Sequence, residues 1–254
     1  MLFVRPFAGL CNRLRVINAA VKMSHDLQHK LIIYWQTDPE MNCSFHSLFD
    51  KSDDFSVVDC DYKDLYQRVL FHRYNIFFSH SEKDIMSKAF SRRPIAISTC
   101  SEFYGQERYG GYEWLKPRKE ILDEVESCRA SHSADMIGLH IRRTDNAISI
   151  KMSPIELFKQ KIEEELKKNP GIVFFLATDD KEVKKDLLST YGNAIFTREN
   201  IAQRNDPDGV RDALVDLLLL SKCNKLYGSY WSSFSEEAAK IGNVVYQRLQ
   251  ISEK

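Results

Sequence analysis

The stretch Asp135-Met-Ile-Gly-Leu-His-Ile-Arg-Arg-Thr-Asp145 decides how this chain is read. Met136 to Ile141 is a short, mostly apolar run, the pattern of a buried strand. It carries His140 and leads straight into Arg142, Arg143 and Asp145. Four polar or ionisable side chains at the exit of a buried strand are costly unless they are paired or used. In open α/β sheets, ligands bind beyond the carboxyl ends of the strands. Two adjacent arginines there suit an anionic ligand, because a guanidinium fork matches phosphate oxygens in a bidentate way. The same residues also suit an ion-pair cluster of Arg142 or Arg143 with Asp145, and spacing alone leaves both readings open.

Downstream the pattern is regular. Ser153, Pro154 and Glu156 form a helix start with Ser153 as the cap. That helix runs to about Lys168 and ends at Asn169-Pro170-Gly171. Ile172 to Ala177 is an apolar strand. Thr178-Asp179-Asp180 then opens a helix from Lys181 to about Tyr191, with Gly192 where a C′ glycine belongs. Ala194 to Thr197 and Asn224 to Gly228 read as strands around an apolar helix from Gly209 to Lys222. Ser232 to Ile241 is a helix and Val244 to Gln247 a last strand. This alternation predicts an α/β fold with a parallel, doubly wound sheet.

Upstream, Leu2 to Arg5 reads as a strand, Pro6 to Cys11 as a tight loop around Gly9, and Asn12 to Gln28 as a helix. Strand, glycine loop and helix present free backbone N–H groups to an anion, and they equally make a plain β-α connection. Lys30 to Trp35 is a second strand. From Gln36 to Arg93 the pattern is poor, with a short helix at Ser44 to Phe49, a strand at Phe55 to Val58 and a helix at Lys63 to Phe71. Pro94 to Ser98 is a strand. Ser101 to Tyr112 is an aromatic, glycine-containing loop that suits a sugar surface or ordinary packing. Trp114 to Ala130 reads as a helix, and Ser131 to Ala134 as a linker dividing residues 1–131 from 132–254. Asp59-Cys60-Asp61 matches a metal-binding D-x-D pattern, but three-residue matches are common and such carboxylates are usually turn residues. Asp206-Pro207-Asp208 reads as a turn.

Composition bounds the function. The 254 residues carry 36 basic and 36 acidic side chains, so formal net charge is zero. That removes any broad electrostatic case for nucleic acid or a membrane surface. Six scattered cysteines with no C-x-x-C pair read as reduced thiols. No run approaches a membrane span, and the start lacks signal-peptide character. A cytoplasmic protein is expected.

His140-Ile-Arg142-Arg143-Thr-Asp145 resembles the H-x-R-R-x-D motif of the α1,6-, α1,2- and protein O-fucosyltransferase superfamily. Gly9-Leu-Cys-Asn12-Arg13-Leu14 resembles that superfamily's Gly-x-x-Asn loop. Phe174 to Asp180 is similar to its second motif. Arg211 to Asp216, followed by Ser229-Tyr-Trp-Ser232-Ser233-Phe-Ser235, is similar to its third. Order and spacing agree across nearly the whole C-terminal half, most with the α1,6 type that includes the nodulation enzymes.

The resemblance implies a GT-B-like fold of two Rossmann-type domains, the first small. It implies an inverting, metal-independent, bacterial-type glycosyltransferase that takes GDP-fucose as donor and a glycan as acceptor, with no cofactor. Arg142 would bind the β-phosphate, and His140 and Asp216 the guanine. Ser232 and Ser233 would meet phosphate. Of Asp179 and Asp180, one would cap a helix and the other face the nucleotide. Gly9, Asn12 and Arg13 would line the donor site, and Arg143 would hold Asp145 or shape the loop. The α1,6 subgroup has a glutamate beyond the motif, whereas Asn146-Ala-Ile-Ser-Ile150 contains no acid. Asp145, Asp38 and Glu40 are left as candidate bases. Two other classes stay open: a non-catalytic nucleotide- or carbohydrate-binding protein of the same fold, and a metal-dependent nucleotide-sugar transferase using Asp59 and Asp61.

Overall fold

Strand β1 (Leu2–Pro6) is an apolar run buried along most of its length, and the chain builds its first sheet outward from it. The structure is a computed structural model that describes residues 1–74, 94–105, 111–132, 135–144, 147–199 and 206–252. The chain divides into two compact units, Met1–Arg118 with Arg204–Val210, and Lys119–Gln203 with Arg211–Lys254.

In the first unit, β1 is followed by α1 (Leu10–Leu27), β2 (Leu31–Thr37), α2 (Phe45–Leu48), β3 (Phe55–Asp61), α3 (Leu65–Tyr74) and β4 (Ile95–Thr99). The sheet order is β3-β2-β1-β4 and every pairing is parallel. Helix α1 buries Leu14, Ile17 and Val21, the apolar positions of its sequence pattern. The described part of the segment with the poor pattern, residues 36–74, is organised by ring contacts instead. Phe45 meets Trp35, Phe49 and Phe55 edge-on or tilted, and Phe55 meets Trp114. Aromatic packing of this kind follows no helical or strand period.

Trp114 does not open a helix. Its ring is buried, its indole N–H donates to Asn18 Oδ1 at 3.3 Å, and Pro117 forms a bridge with Phe49. Helix α4 (Lys119–Ala130) therefore begins only after the proline. It belongs to the second unit, ahead of the expected division at 131/132, because Ile121 and Val125 are buried and Glu124 is engaged by Arg198 and Arg211.

The second unit continues with β5 (Met136–Ile141), α5 (Ala147–Met152), α6 (Ile155–Lys168), β6 (Val173–Thr178), α7 (Lys181–Tyr191), β7 (Ile195–Phe196), α8 (Pro207–Ser221), β8 (Lys225–Ser229), α9 (Ser233–Gly242) and β9 (Val245–Leu249). Its sheet order is β7-β6-β5-β8-β9, again all parallel. Every residue of β5 is buried, as befits the central strand. The core joins Leu139 and Ile141 to Phe158, Ile162, Leu176 and Leu187.

Four local expectations change. Helix α5 was not anticipated. Ser153 does not cap α6, since Pro154 occupies that place and the Ser153 hydroxyl donates to Leu249 O at 2.5 Å. Asp206-Pro207-Asp208 is a helix start rather than a turn: Asp206 Oδ2 accepts the Gly209 N–H at 3.2 Å, with proline in the first turn of α8. Gly192 closes α7 as its C-cap, one position earlier than expected, with positive φ (53°) but ψ −127°, and opens a short 3-10 turn. Among the described residues, no helix is long and apolar enough to cross a membrane.

Candidate functional site

Strand β5 has β6 on one side and β8 on the other, and the chain visits β6 and β7 before crossing to β8. The carboxyl ends of β5 and β8 thus form the topological switch point of this sheet, where neighbouring loops part and leave a crevice. His140 ends β5 with Ile141, and Arg142 to Thr144 follow. Ser229 ends β8, and Tyr230 to Ser232 lead into α9.

Side chains cross the switch point twice. Ser229 Oγ accepts the Arg142 N–H at 3.1 Å and donates to His140 O at 3.3 Å. Ser232 Oγ lies 3.2 Å from His140 Nδ1. Helix α9 can approach this closely because Gly228 has no side chain: a Cβ there would fall 2.3 Å from Ser235 Oγ. Ser232 is fully buried and precedes the first residue of α9, yet its hydroxyl does not cap the helix. It is directed to the imidazole instead.

His140 is 8% exposed and stacks on Phe234 with centroids 4.8 Å apart. Burial pushes its pKa down to about 4, with Arg142 lowering it further and Asp179 opposing. The ring is neutral at pH 7, with one nitrogen donating and the other accepting.

The arginine loop is held from the carboxyl end of β6. Asp179 Oδ1 accepts the Arg143 N–H at 2.7 Å. Asp179 Oδ2 accepts the Thr144 hydroxyl at 2.7 Å and its N–H at 3.3 Å. The Arg143 guanidinium donates to Ser153 O at 2.8 Å and Ile150 O at 3.3 Å. Arg143 and Asp179 thus shape the loop that presents Arg142. Asp180 caps α7, accepting from Glu182 N at 2.8 Å and Val183 N at 3.1 Å. Asp145 lies outside the described residues, as does Asn146.

Ser153 is a junction that sequence reasoning missed. Besides its bond to β9, its Oγ accepts the Tyr230 N–H at 2.7 Å, so one buried hydroxyl ties the loop after β8 to the segment that holds Arg143. A serine before proline reads locally as a cap, and nothing in its neighbours distinguishes the long-range role. The next residue, Trp231, has φ 53°. For a bulky residue this conformation costs about 1–3 kcal/mol and persists only where the surroundings impose it.

Asp216 stands apart from the switch point in its partnership. Its Oδ1 accepts from Arg198 at 3.0 Å, and the same guanidinium binds Asp212 Oδ1 at 2.7 Å and Glu124. Burial pushes the Asp216 carboxyl up to about 6, with Arg198 opposing. The partner differs from the Arg211 that chain proximity suggests; Arg211 instead pairs with Glu124 at 2.9 Å. Arg198 follows a two-residue strand and carries no motif, so no sequence signal pointed to it.

In the first unit, Gly9 is the N-cap of α1 and Asn12 lies in its first turn. Arg13 is fully buried. It donates to Ala8 O at 2.8 Å, to Gln36 O and to Asp38 Oδ2 at 2.8 Å, and lies over the Trp35 ring. Those bonds tie the loop before α1 to the end of β2 and to Asp38. Asp38 is engaged as well, its other oxygen accepting from Glu40 N and Met41 N at 2.9 and 3.0 Å. Asp59 accepts the N–H of Phe45, the first residue of α2, at 2.8 Å, and Asp61 accepts the Lys63 N–H at 2.7 Å in a local turn. Among the described residues, no group of three or more His, Cys, Asp or Glu side chains converges as a metal site.

No protein-family model and no curated protein sequence matches this chain. Solved structures do. Fucosyltransferase NodZ from Bradyrhizobium aligns with TM-score 0.62 at 18% identity, over 94% of this chain and 92% of that one. Arabidopsis thaliana FUT1, as a mutant in complex with GDP, aligns with TM-score 0.68 at 14% identity, over 100% and 71%. POFUT1 in complex with GDP aligns with TM-score 0.64 at 11% identity, over 98% of both chains. At these identities the likeness establishes the fold: two parallel α/β units in a GT-B-like arrangement of elements.

Proposed function

We propose that this chain is an inverting, metal-independent glycosyltransferase that moves L-fucose from GDP-fucose to a glycan acceptor. The observation that carries the reading is the β5–β8 switch point. There the backbone of Arg142 is fixed by Ser229, and the start of α9 adjoins a neutral His140. Helix N-termini attract phosphate, and a fixed arginine meets charge that develops on a leaving diphosphate. The likeness to fucosyltransferase structures in complex with GDP supports the same ligand class.

In the reaction, the bond from the anomeric carbon to the β-phosphate oxygen breaks while the acceptor hydroxyl attacks from the opposite face. The electron pair leaves on GDP, where Arg142, the N–H groups at Ser232 and Ser233 and the Ser233 hydroxyl offset it. The acceptor proton passes to a carboxylate, for which Asp145 is our candidate. His140 contacts the guanine, and Asp216, with Oδ1 held by Arg198, contributes its second oxygen. Asp179, Asp180, Arg143, Gly9, Asn12 and Arg13 support loops rather than touch the reacting atoms. Six free thiols suit a reducing, cytoplasmic setting.

A second reading, a binding protein that retains donor recognition without transfer, is favoured by the absence of an acid from Asn146 to Ile150. Calorimetric titration of GDP and GDP-fucose into wild type and Arg142→Ala, with a chelator present, tests the donor site. Release of GDP in a glycan acceptor screen then separates transfer from binding. Failure of wild type to bind either nucleotide would remove both readings.

A further inference from the structure

Trp231 is the indole that this fold leaves in water. Of the three tryptophans, Trp35 is 0% and Trp114 2% exposed, whereas Trp231 is 61% exposed. Its backbone is also held in the left-handed region, at φ 53°. Exposed apolar surface and an unfavourable backbone are both costs, and the turn is built to sustain them. On one side Ser153 Oγ fixes the Tyr230 N–H at 2.7 Å, and Arg248 lies over the Tyr230 ring at 5.5 Å. On the other side Ser232 is buried against His140. With both neighbours anchored, the indole is presented in one place rather than allowed to fold back.

We infer that Trp231 is the platform on which the pyranose ring of the donor sugar stacks, an inference that rests on the donor reading above. Position argues for the sugar. Ser229, which binds the Arg142 backbone, is two residues before Trp231, and the start of α9 is two residues after it. Both flanks belong to the elements assigned to the diphosphate. A ring presented between them stands in the turn that carries both diphosphate contacts. The C–H face of a pyranose packs on an indole while its hydroxyls stay in water, which suits an exposed aromatic with a polar surround. A 6-deoxy sugar adds a methyl group to that apolar face.

Because the other two tryptophans are buried, acrylamide quenching reads Trp231 directly. GDP and GDP-fucose are titrated into wild type, Trp231→Phe and Trp231→Ala, with calorimetry run in parallel. GDP-fucose is expected to shield wild-type fluorescence and GDP to leave it accessible. Trp231→Ala should lose about tenfold in GDP-fucose affinity with GDP affinity unchanged, and Trp231→Phe should retain most of it. Equal shielding by GDP would place the nucleotide on the indole and overturn the inference. Calorimetric binding of GDP-fucose without shielding would overturn it as well. Absence of calorimetric binding by either nucleotide is the distinct result that removes the donor reading, and this inference with it.

Discussion

Asp179 Oδ1 accepts the backbone N–H of Arg143 at 2.7 Å, tying the end of β6 to the loop that leaves β5. With the two bonds to Thr144, one carboxylate determines the course of the segment that carries Arg142. Asp179→Ala should lower stability by about 1.5–3 kcal/mol, the worth of hydrogen bonds to a charged acceptor. It should also weaken GDP binding tenfold or more. Denaturant titration and calorimetry check both, and unchanged GDP affinity would show that the loop holds its course without Asp179.

On the proposed donor reading, the Arg142 guanidinium makes a charge-assisted contact to phosphate. Arg142→Ala should weaken GDP binding by about 10- to 150-fold, equivalent to about 1.5–3 kcal/mol. Wild-type affinity in the variant would refute the assignment.

His140 makes stability depend on pH. Its pKa is about 4 when folded, against an ordinary value of 6.5. Between those values the unfolded chain binds a proton that the folded protein refuses, so stability falls as pH drops through the window. The loss is about 3 kcal/mol in order of magnitude. Asp216 acts oppositely: its carboxyl is pushed up to about 6 from 3.8, so its contribution falls as pH rises through that range. The two windows overlap, and the measurement must therefore be a difference. Wild type should lose more stability than His140→Gln between pH 6.5 and 4, and parallel curves for the two proteins would contradict the assignment.

Arg198 holds three carboxylates, those of Glu124, Asp212 and Asp216. Arg198→Met should cost about 2–4 kcal/mol, because it leaves three partly buried acids without their counter-charge. A urea midpoint near the wild-type value would refute that role.

The two motifs at the switch point were legible because they are local. Strand β5 announces itself by an unbroken apolar run, and its arginines follow directly. Helix α7 was legible at both ends, through Asp180 and Gly192, because caps act within a few residues. Trp114 was misread because its spacing to Ile121 fits a helix while its ring is needed against Phe55. Ser153 was misread for a related reason: its local context is that of a cap, but its partners Tyr230 and Leu249 lie 77 and 96 residues away.

By itself, then, the sequence determined the alternation of strands and helices, the parallel sheets that follow from it, and which residues stand at the strand ends. Those properties depend on periodicity, capping and burial over a few residues. Only the tertiary structure decided which of those residues hold the loops and through which partners. Asp179, Arg143, Arg13 and Ser153 took structural partners across the fold, and Asp216 paired with Arg198. A hydrogen bond forms where folding brings donor and acceptor within about 3 Å, and chain separation imposes no rule on that distance.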